Sequence, residues 1–275
     1  RSPKQGTAAA QKLVDAKVNG VVGHLNSGTS IPASKIYSEA GIPQISPSST
    51  AIKYTQNGYK TAFRVVANDG QLGGTLGKYA VGTLKAANIA IIDDRTAYGQ
   101  GVADQFVKGV QEGGGKIADR QYTTDKSTDF ASILTKIKSV KPEVVFYGGM
   151  DAQAGPMLRQ MKQLGIDAKL MGGDGICTSE IAKLAGDGMA DGQVICAEAG
   201  GVTPDREAAM ADFEKRYKAK FGRDIQIYAP YVYDAVMTMA AAMKQADSAD
   251  PKKYLPVLSQ IRYEGITGTI SFDTK

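Results

Sequence analysis

Polar residues that could bind a small ligand are grouped in short segments that follow apolar runs. Ser27 and Thr29 lie in "GHLNSGTS", between an apolar run and a segment that is predicted to be helical. The first N–H groups of a helix have no partner within the helix, so hydroxyls and N–H groups there can bind a carboxylate. Helix capping is the alternative role of both residues.

Two further segments offer groups that could bind an ammonium. In "SPSST", the Ser48 carbonyl and the Thr50 hydroxyl can accept protons, although the segment also fits a simple proline-containing turn. Asp174 stands between glycines in "GGDGI", which allows a ligand to approach the backbone closely, and its alternative is a plain turn residue. Tyr98 in "TAYGQG" offers an aromatic wall, or ordinary packing. Together these groups describe a site for a free α-amino acid.

Residues for catalysis are scarce in this chain. His24 is the only histidine, and without a G-x-S-x-G segment a Ser/His/Asp triad has little support. The "EGGGK" segment at 112–116 lacks the spacing of a phosphate-binding loop, and no G-x-G-x-x-G follows a strand. Metal binding would need clustered ligands, whereas the aspartates are scattered. We therefore predict no catalytic residue, no cofactor and no metal.

Composition places the chain among ordinary globular proteins. Its 275 residues are 43% hydrophobic and 22% charged, a length that suits two α/β domains. The net charge of +5 comes from 33 basic residues interleaved with 28 acidic ones, so nucleic acid is not an expected partner. No stretch is long and apolar enough to cross a membrane. Cys177 and Cys196 could form one bridge in an oxidising compartment, or remain two buried thiols.

Strand and helix patterns alternate along almost the whole chain. Runs such as "NIAIIDD" and "PEVVFYGG" predict strands buried on both faces of parallel sheets, and a helix is predicted from about Ile31 to Glu39. The polar segments follow the strands, and ligands of open α/β sheets bind beyond the carboxyl ends of the strands. The sequence therefore predicts one cleft that is shared by two sheets.

The ordered set "GHLNSGTSIPAS", "GIPQISPSST", "DDRTAYGQG", "VVFYGGMDA", "GDGICTSEIAKLAGD" and "GITGTISFD" resembles the periplasmic leucine/isoleucine/valine-binding protein family. The resemblance implies a type I periplasmic binding protein, with two flavodoxin-like, doubly wound parallel-sheet lobes joined by a hinge. The lobes would be 1–68 with 199–275, and 69–198. It also implies a non-enzymatic, monomeric receptor that binds a branched-chain or other apolar amino acid in the periplasm and delivers it to a membrane ABC permease.

The resemblance also assigns roles to individual residues. Ser27 would bind the ligand carboxylate, Thr50 and the Ser48 carbonyl would bind main-chain groups of the ligand, and Asp174 would pair with its ammonium. The side-chain pocket would be lined by Leu25, Asn26, Tyr98, Met150 and Tyr228.

The chain departs from the family pattern in several places. Met150 replaces an aromatic residue and Asp174 a longer glutamate, so that aromatic, amide-bearing or ω-amino ligands such as GABA stay open. Asn26 occupies a frequent cysteine position of the first lobe. The first βαβ unit of the family, and any signal peptide, are not in the chain.

Two other functions stay open at this stage. A sensory amino-acid-binding domain on the same fold would differ by an attached signalling module. A flavodoxin-like enzyme that acts on a small carboxylate would differ by turning its ligand over.

Overall fold

The computed structural model describes residues 2–273, and the chain divides into two compact units. The first unit comprises Arg1–Ala67 and Gly200–Lys275, and the second comprises Asn68–Ala199. Both are built on parallel sheets, so the predicted α/β class is confirmed.

The first unit draws its elements from both ends of the chain. In chain order they are α1 (Pro3–Asp15), β1 (Val21–Val22), α2 (Ser27–Ala40), β2 (Gln44–Ser46), α3 (Ile52–Gln56), β3 (Ala62–Arg64), and later α9 (Glu207–Phe221), α10 (Ala229–Gln245), α11 (Pro251–Ser259), β9 (Arg262–Glu264) and β10 (Thr269–Ser271).

A parallel sheet of order β1-β2-β3 and an antiparallel β9-β10 pair form the strands of this unit. Helix α10 packs against β1 and β2, and it buries Ala235 in a cluster with Ile45, Tyr254 and Leu258. The Asp234 carboxylate of α10 accepts hydrogen bonds from the N–H groups of Ile266 (2.9 Å) and Thr267 (2.9 Å). The turn between β9 and β10 is therefore tied to α10.

Helix α2 begins four residues earlier than the sequence predicts. Proline is typical of the first helical turn, and Pro32 therefore marks the start of the pattern, but it lies in the second turn of α2. The Asn26 carbonyl accepts the N–H groups of Thr29 (3.0 Å) and Ser30 (2.9 Å), so the small polar residues are already helical. Ser27 consequently occupies the first helical position.

The second unit is a continuous strand–helix alternation. Its elements are α4 (Asp69–Gly82), β4 (Ile89–Asp93), α5 (Ala97–Glu112), β5 (Ile117–Tyr122), α6 (Ala131–Lys138), β6 (Val144–Gly148), α7 (Asp151–Gln163), β7 (Lys169–Gly172), α8 (Glu180–Ala185) and β8 (Val194–Cys196).

The sheet of the second unit is entirely parallel, with the order β5-β4-β6-β7-β8. Counted within the unit this is 2-1-3-4-5, the flavodoxin-like order. Every residue of β4 and β6 is buried, as expected for strands covered on both faces. Since β4, β6 and β7 are neighbours, the segments that follow them leave the same edge of the sheet.

Candidate ligand-binding site

In the first unit, two of the predicted polar segments meet at the carboxyl ends of β1 and β2. The strands are parallel, with Val22 opposite Ile45, so 23–26 and 47–50 leave the same edge. Ser48 and Ser49, at 5% and 0% exposure, lie in the second segment. The structure thus brings "HLNS" and "SPSST" together.

Serine hydroxyls hold these two segments together through two carbonyl groups. The His24 carbonyl accepts hydrogen bonds from Ser46 Oγ (2.8 Å), Ser30 Oγ (3.1 Å) and Ser49 Oγ (3.2 Å). The Leu25 carbonyl accepts hydrogen bonds from Ser48 Oγ (2.8 Å) and Ser49 Oγ (3.3 Å). The loop before α2 is therefore tied to the turn after β2. Sequence reasoning did not identify Ser30, Ser46 or Ser49 in this role.

Ser27 and Thr50 lie at the centre of this arrangement. Ser27 Oγ accepts the N–H of Ala51 at 3.2 Å, which links the start of α2 to the end of the serine turn. The Thr50 side chain is fully buried, and its Oγ1 has no hydrogen-bond partner among residues 2–273. A buried hydroxyl without a partner is costly, so this group is suited to a ligand that would supply one.

Arg64 supports the same turn from β3. Its Nη1 donates to the carbonyl oxygens of Ala51 (3.0 Å) and Ser49 (3.4 Å), and Nη2 donates to Thr55 Oγ1 (3.0 Å). Sequence reasoning did not single out this arginine. An arginine within the apolar run "AFRVVA" was the available signal, because a partly buried guanidinium must find acceptors.

His24 has a structural contact rather than a catalytic arrangement. Its Nε2 lies 2.9 Å from the Tyr37 hydroxyl. Burial lowers the pKa of His24, and burial raises the pKa of Tyr37 to about 12. The imidazole is therefore kept neutral beside a neutral phenol.

The remaining predicted residues of the first unit are Leu25, Asn26 and Tyr228. Leu25 is 53% exposed. Asn26 precedes α2 and makes no capping hydrogen bond with its side chain. Tyr228 is half-buried and immediately precedes α10, the helix that packs on β1 and β2.

In the second unit, the structure pairs Tyr98 with Asp174. The Tyr98 hydroxyl donates to Asp174 Oδ1 at 2.8 Å and accepts the N–H of Gly175 at 2.9 Å. Asp174 is only 1% exposed and Tyr98 8%. These residues follow β7 and β4, so the edge of the sheet carries a buried carboxylate with a phenol bonded to it.

Glycines on both sides of Asp174 allow Tyr98 to come this close. A Cβ at Gly173 would lie 2.8 Å from the Tyr98 hydroxyl, and a Cβ at Gly175 would lie 2.9 Å from Tyr98 Cε1 and 2.8 Å from Met150 Sδ. Met150, which immediately precedes α7, therefore adjoins the same turn. Tyr98, Met150 and Asp174 form one cluster.

The start of α5 fixes the position of Tyr98. Asp94 Oδ1 accepts the N–H (3.0 Å) and the hydroxyl (2.6 Å) of Thr96. Thr96 Oγ1 in turn accepts the N–H of Gly99 at 3.0 Å and caps the helix. The backbone that carries Tyr98 is thus held by the residues on both sides of it.

A disulfide joins Cys177 to Cys196 in this unit. The Cys177 N–H donates to the Asp174 carbonyl at 3.1 Å, and Cys196 is the last residue of β8. The turn that carries Asp174 is therefore linked covalently to the edge strand of the sheet. The sequence left the state of the two cysteines open.

A separate surface cavity lies at the opposite edge of this sheet, near the start of β7. Lys162 and Lys169 line it, and their Nζ atoms donate to the carbonyl oxygens of Asp187 (2.6 Å) and Gly192 (2.8 Å). None of the predicted ligand-binding residues lines this cavity.

The described part of the chain lacks two other kinds of feature, a metal-binding cluster and a membrane-spanning helix. Across residues 2–273, no three His, Cys, Asp or Glu side chains are grouped so that they could hold a metal ion. Within the same range, no helix has both the length and the apolar character that crossing a membrane requires.

The sequence matches the periplasmic binding protein family over residues 1–275. A curated relative is the Leu/Ile/Val-binding protein homolog 1 of Brucella abortus (strain 2308), 37% identical over 274 residues that cover 99% of this chain and 72% of the relative. Another is the leucine-, isoleucine-, valine-, threonine-, and alanine-binding protein of Pseudomonas aeruginosa, 34% identical over 273 residues with the same two coverages.

Solved structures show the same similarity. A leucine-binding protein from Thermotoga maritima superposes with a TM-score of 0.88 at 25% identity, covering 99% of this chain and 78% of that one. Another neighbour is a branched-chain amino acid transporter substrate-binding protein from Streptococcus pneumoniae in complex with isoleucine. Its TM-score is 0.87 at 27% identity, and the match covers 99% of this chain and 77% of that one.

Proposed function

Because this chain belongs to the periplasmic binding protein family, we propose that it captures a free amino acid with an apolar side chain and delivers it to the permease of an ABC importer. The relatives are named as binding proteins for leucine, isoleucine and valine, and one solved neighbour holds isoleucine. The chain would act as a monomer in the periplasm, where such receptors meet the permease.

The observation that carries this proposal is the buried Asp174 carboxylate with the Tyr98 hydroxyl at 2.8 Å. A carboxylate that is almost completely buried needs a positive partner or strong hydrogen bonds. The ammonium of an amino acid is such a partner. The phenol and Met150 beside it add apolar surface, which suits an uncharged ligand side chain.

The first unit offers groups that complement a ligand carboxylate. Helix α2 begins at Ser27, where backbone N–H groups have no partner within the helix and the helix dipole favours negative charge. We assign the ligand carboxylate to Ser27 and the other main-chain contacts to Thr50 and the Ser48 carbonyl. The buried Thr50 hydroxyl supports this assignment, since a ligand would supply the partner that residues 2–273 do not.

The side chain of the ligand is assigned to Leu25, Asn26, Tyr98, Met150 and Tyr228. The exposed Leu25 supports this assignment, because a ligand that covers its apolar surface removes that surface from water and binds more tightly. Methionine is unbranched and adapts to different shapes, so Met150 favours a pocket that accepts several apolar side chains.

The proposal is tested by thermal unfolding of the purified protein against the twenty amino acids and GABA. A ligand at a hundred times its Kd adds about 2.7 kcal/mol to the free energy of unfolding, which raises Tm measurably. We expect a rise that is confined to leucine, isoleucine, valine and a few similar amino acids. Calorimetric titration then gives the stoichiometry and shows whether the ligand is returned unchanged.

Matched variants make this test specific. Asp174→Asn should lower the affinity for the best ligand at least a hundredfold, since it removes the charge that faces the ammonium. Asp187→Asn changes a carboxylate whose side chain is 90% exposed and should leave the affinity unchanged. If no amino acid shifts Tm in folded protein, the amino-acid assignment is wrong and other small carboxylates must be tried.

A further inference from the structure

We propose that the Tyr98 hydroxyl positions the Asp174 carboxylate and thereby sets the affinity of this protein for the ammonium of its ligand. This inference rests on the proposed function, and it gives Tyr98 a role through its hydroxyl in addition to the wall formed by its ring. It concerns a positioning residue, because the hydroxyl acts on the ligand through Asp174.

The hydrogen bonds at the Tyr98 hydroxyl fix its direction. The oxygen accepts the N–H of Gly175 at 2.9 Å and lies 2.8 Å from Asp174 Oδ1. A phenol has a single proton to donate. Since the backbone N–H occupies one side of the oxygen as a donor, the phenol proton is directed to the carboxylate. Such a bond to an ionised acceptor is stronger than one between neutral groups.

The surroundings of Tyr98 constrain the position of its ring. The backbone on both sides of Tyr98 is held by the Asp94–Thr96–Gly99 hydrogen bonds at the start of α5. The ring is confined laterally because neither Gly173 nor Gly175 could carry a Cβ without meeting it. The phenol therefore defines a fixed point to which the short Asp174 side chain is bonded.

Fixing the carboxylate before the ligand arrives reduces the ordering that binding requires. A side chain that is already held loses little conformational freedom when a partner binds. Without the hydroxyl, the Asp174 carboxylate loses one of the hydrogen bonds that hold it before the ligand arrives. We expect Tyr98→Phe, which removes only the oxygen, to weaken the binding of L-leucine about tenfold.

The experiment is a double-mutant cycle with two probes. The affinities of wild type, Tyr98→Phe, Asp174→Asn and the double variant are measured calorimetrically for L-leucine and for 4-methylpentanoate, which is leucine without its ammonium. We expect Tyr98→Phe to lower the affinity for leucine about tenfold and the affinity for 4-methylpentanoate less than twofold. In the Asp174→Asn background, the second substitution should change leucine affinity less than twofold. Tyr122→Phe, at an exposed tyrosine of the same unit, should change neither affinity.

The outcomes separate this inference from the proposed function. Tyr98→Phe could lower the affinity for both probes equally, or its effect on leucine affinity could persist in the Asp174→Asn background. Either result would mean that the hydroxyl only supports the fold. The inference would then be overturned, and the proposed function would stand. An unchanged leucine affinity in Tyr98→Phe would also overturn the inference alone. If wild type binds none of the amino acids, the proposed function itself is wrong and the inference falls with it. If Asp174→Asn binds leucine as tightly as wild type, Asp174 does not bind the ammonium, and the inference is overturned while the proposed function stands.

Discussion

The two units bring different chemistry to the carboxyl ends of their strands. In the first unit, the described segments around Ser27 and Thr50 offer hydroxyls, backbone groups and a helix start, and the carbonyl oxygens of the loop are occupied by serine hydroxyls. In the second unit, the same position in the sheet holds the Asp174 carboxylate, which accepts a hydrogen bond from the Tyr98 phenol. The first region thus relies on hydroxyls, backbone groups and the supporting Arg64 guanidinium, and the second relies on a buried carboxylate.

The difference shows how each region keeps its geometry. In the first unit, several hydrogen bonds together hold the loop before α2 against the turn after β2, so the loss of one bond leaves others in place. In the second unit, the Asp174 carboxylate is bonded to the Tyr98 phenol, and a disulfide links the turn that carries Asp174 to β8. We therefore expect the second unit to be more sensitive to single changes, and the following predictions test this contrast.

The largest effect on stability is expected from the disulfide. The sequence separation between Cys177 and Cys196 is 19 residues, and closing a loop of that size stabilises a protein by about 3 kcal/mol. Cys177→Ser with Cys196→Ser should lower the free energy of unfolding of the second unit by that amount, measured by hydrogen exchange or urea unfolding. A reducing agent should have the same effect on wild type and none on the variant. Equal stabilities would contradict this role.

The next largest effect is expected at Ser46. Its Oγ donates to the His24 carbonyl and accepts the buried N–H of Ser49 at 2.9 Å. Ser46→Ala leaves that N–H without its partner, which should cost about 2 kcal/mol in urea unfolding. The control is Ser34→Ala, also buried, whose hydroxyl donates only within α2 to the Ile31 carbonyl. If both variants lose the same stability, the serine network has no special importance.

Thr50 should show opposite effects on stability and on binding. Thr50→Val removes a buried hydroxyl that has no partner in residues 2–273, so the ligand-free protein should be as stable as wild type or more stable. Leucine affinity should fall about tenfold, or roughly 1.4 kcal/mol, because the ligand loses a hydrogen bond. Thr50→Ser keeps the hydroxyl and should bind within a few-fold of wild type. A drop in the stability of ligand-free Thr50→Val would refute the assignment.

The smallest effect is expected from pH and is confined to the first unit. Burial lowers the pKa of His24, so in mild acid the unfolded chain binds a proton that the folded protein does not. Stability should be constant above about pH 7 and should fall as the pH drops below about 6.5, the pKa of an unperturbed histidine. Urea unfolding at pH 7.5 and 5.5 should show a smaller change in His24→Gln. An equal change in both proteins would assign it to other groups.

Much of the fold could be predicted from the pattern of the sequence. Continuous apolar runs such as Ile89–Asp93 and Val144–Gly148 indicate parallel strands that are buried on both faces, and the structure has them there. The start of α2 was predicted too late, because small polar residues and Pro32 obscure it. Helix limits depend on which carbonyl accepts which N–H, and the residue types give only a weak indication of that.

The candidate site was predictable in its residue types but not in its partners. Hydroxyls and an aspartate after strands suggested Ser27, Thr50 and Asp174 as ligand-binding residues, and these remain proposals. The bond from Tyr98 to Asp174 spans 76 residues of sequence, and no local pattern signals such a contact. The hydrogen-bond partners of Ser46 and Arg64 could not be predicted for the same reason, since the His24 and Ala51 carbonyl groups lie elsewhere in the sequence.

The sequence by itself determined the alternating α/β architecture and the family to which the chain belongs, because periodicity and ordered motifs are properties of the chain. Only the tertiary structure decided which hydroxyls donate to the His24 and Leu25 carbonyl oxygens. It likewise decided that the Thr50 hydroxyl has no partner among residues 2–273. It also decided that Tyr98 faces Asp174 and that Cys177 meets Cys196. The physical reason is that the order and register of the strands bring distant segments to one edge of a sheet, and hydrogen-bond partners are chosen there.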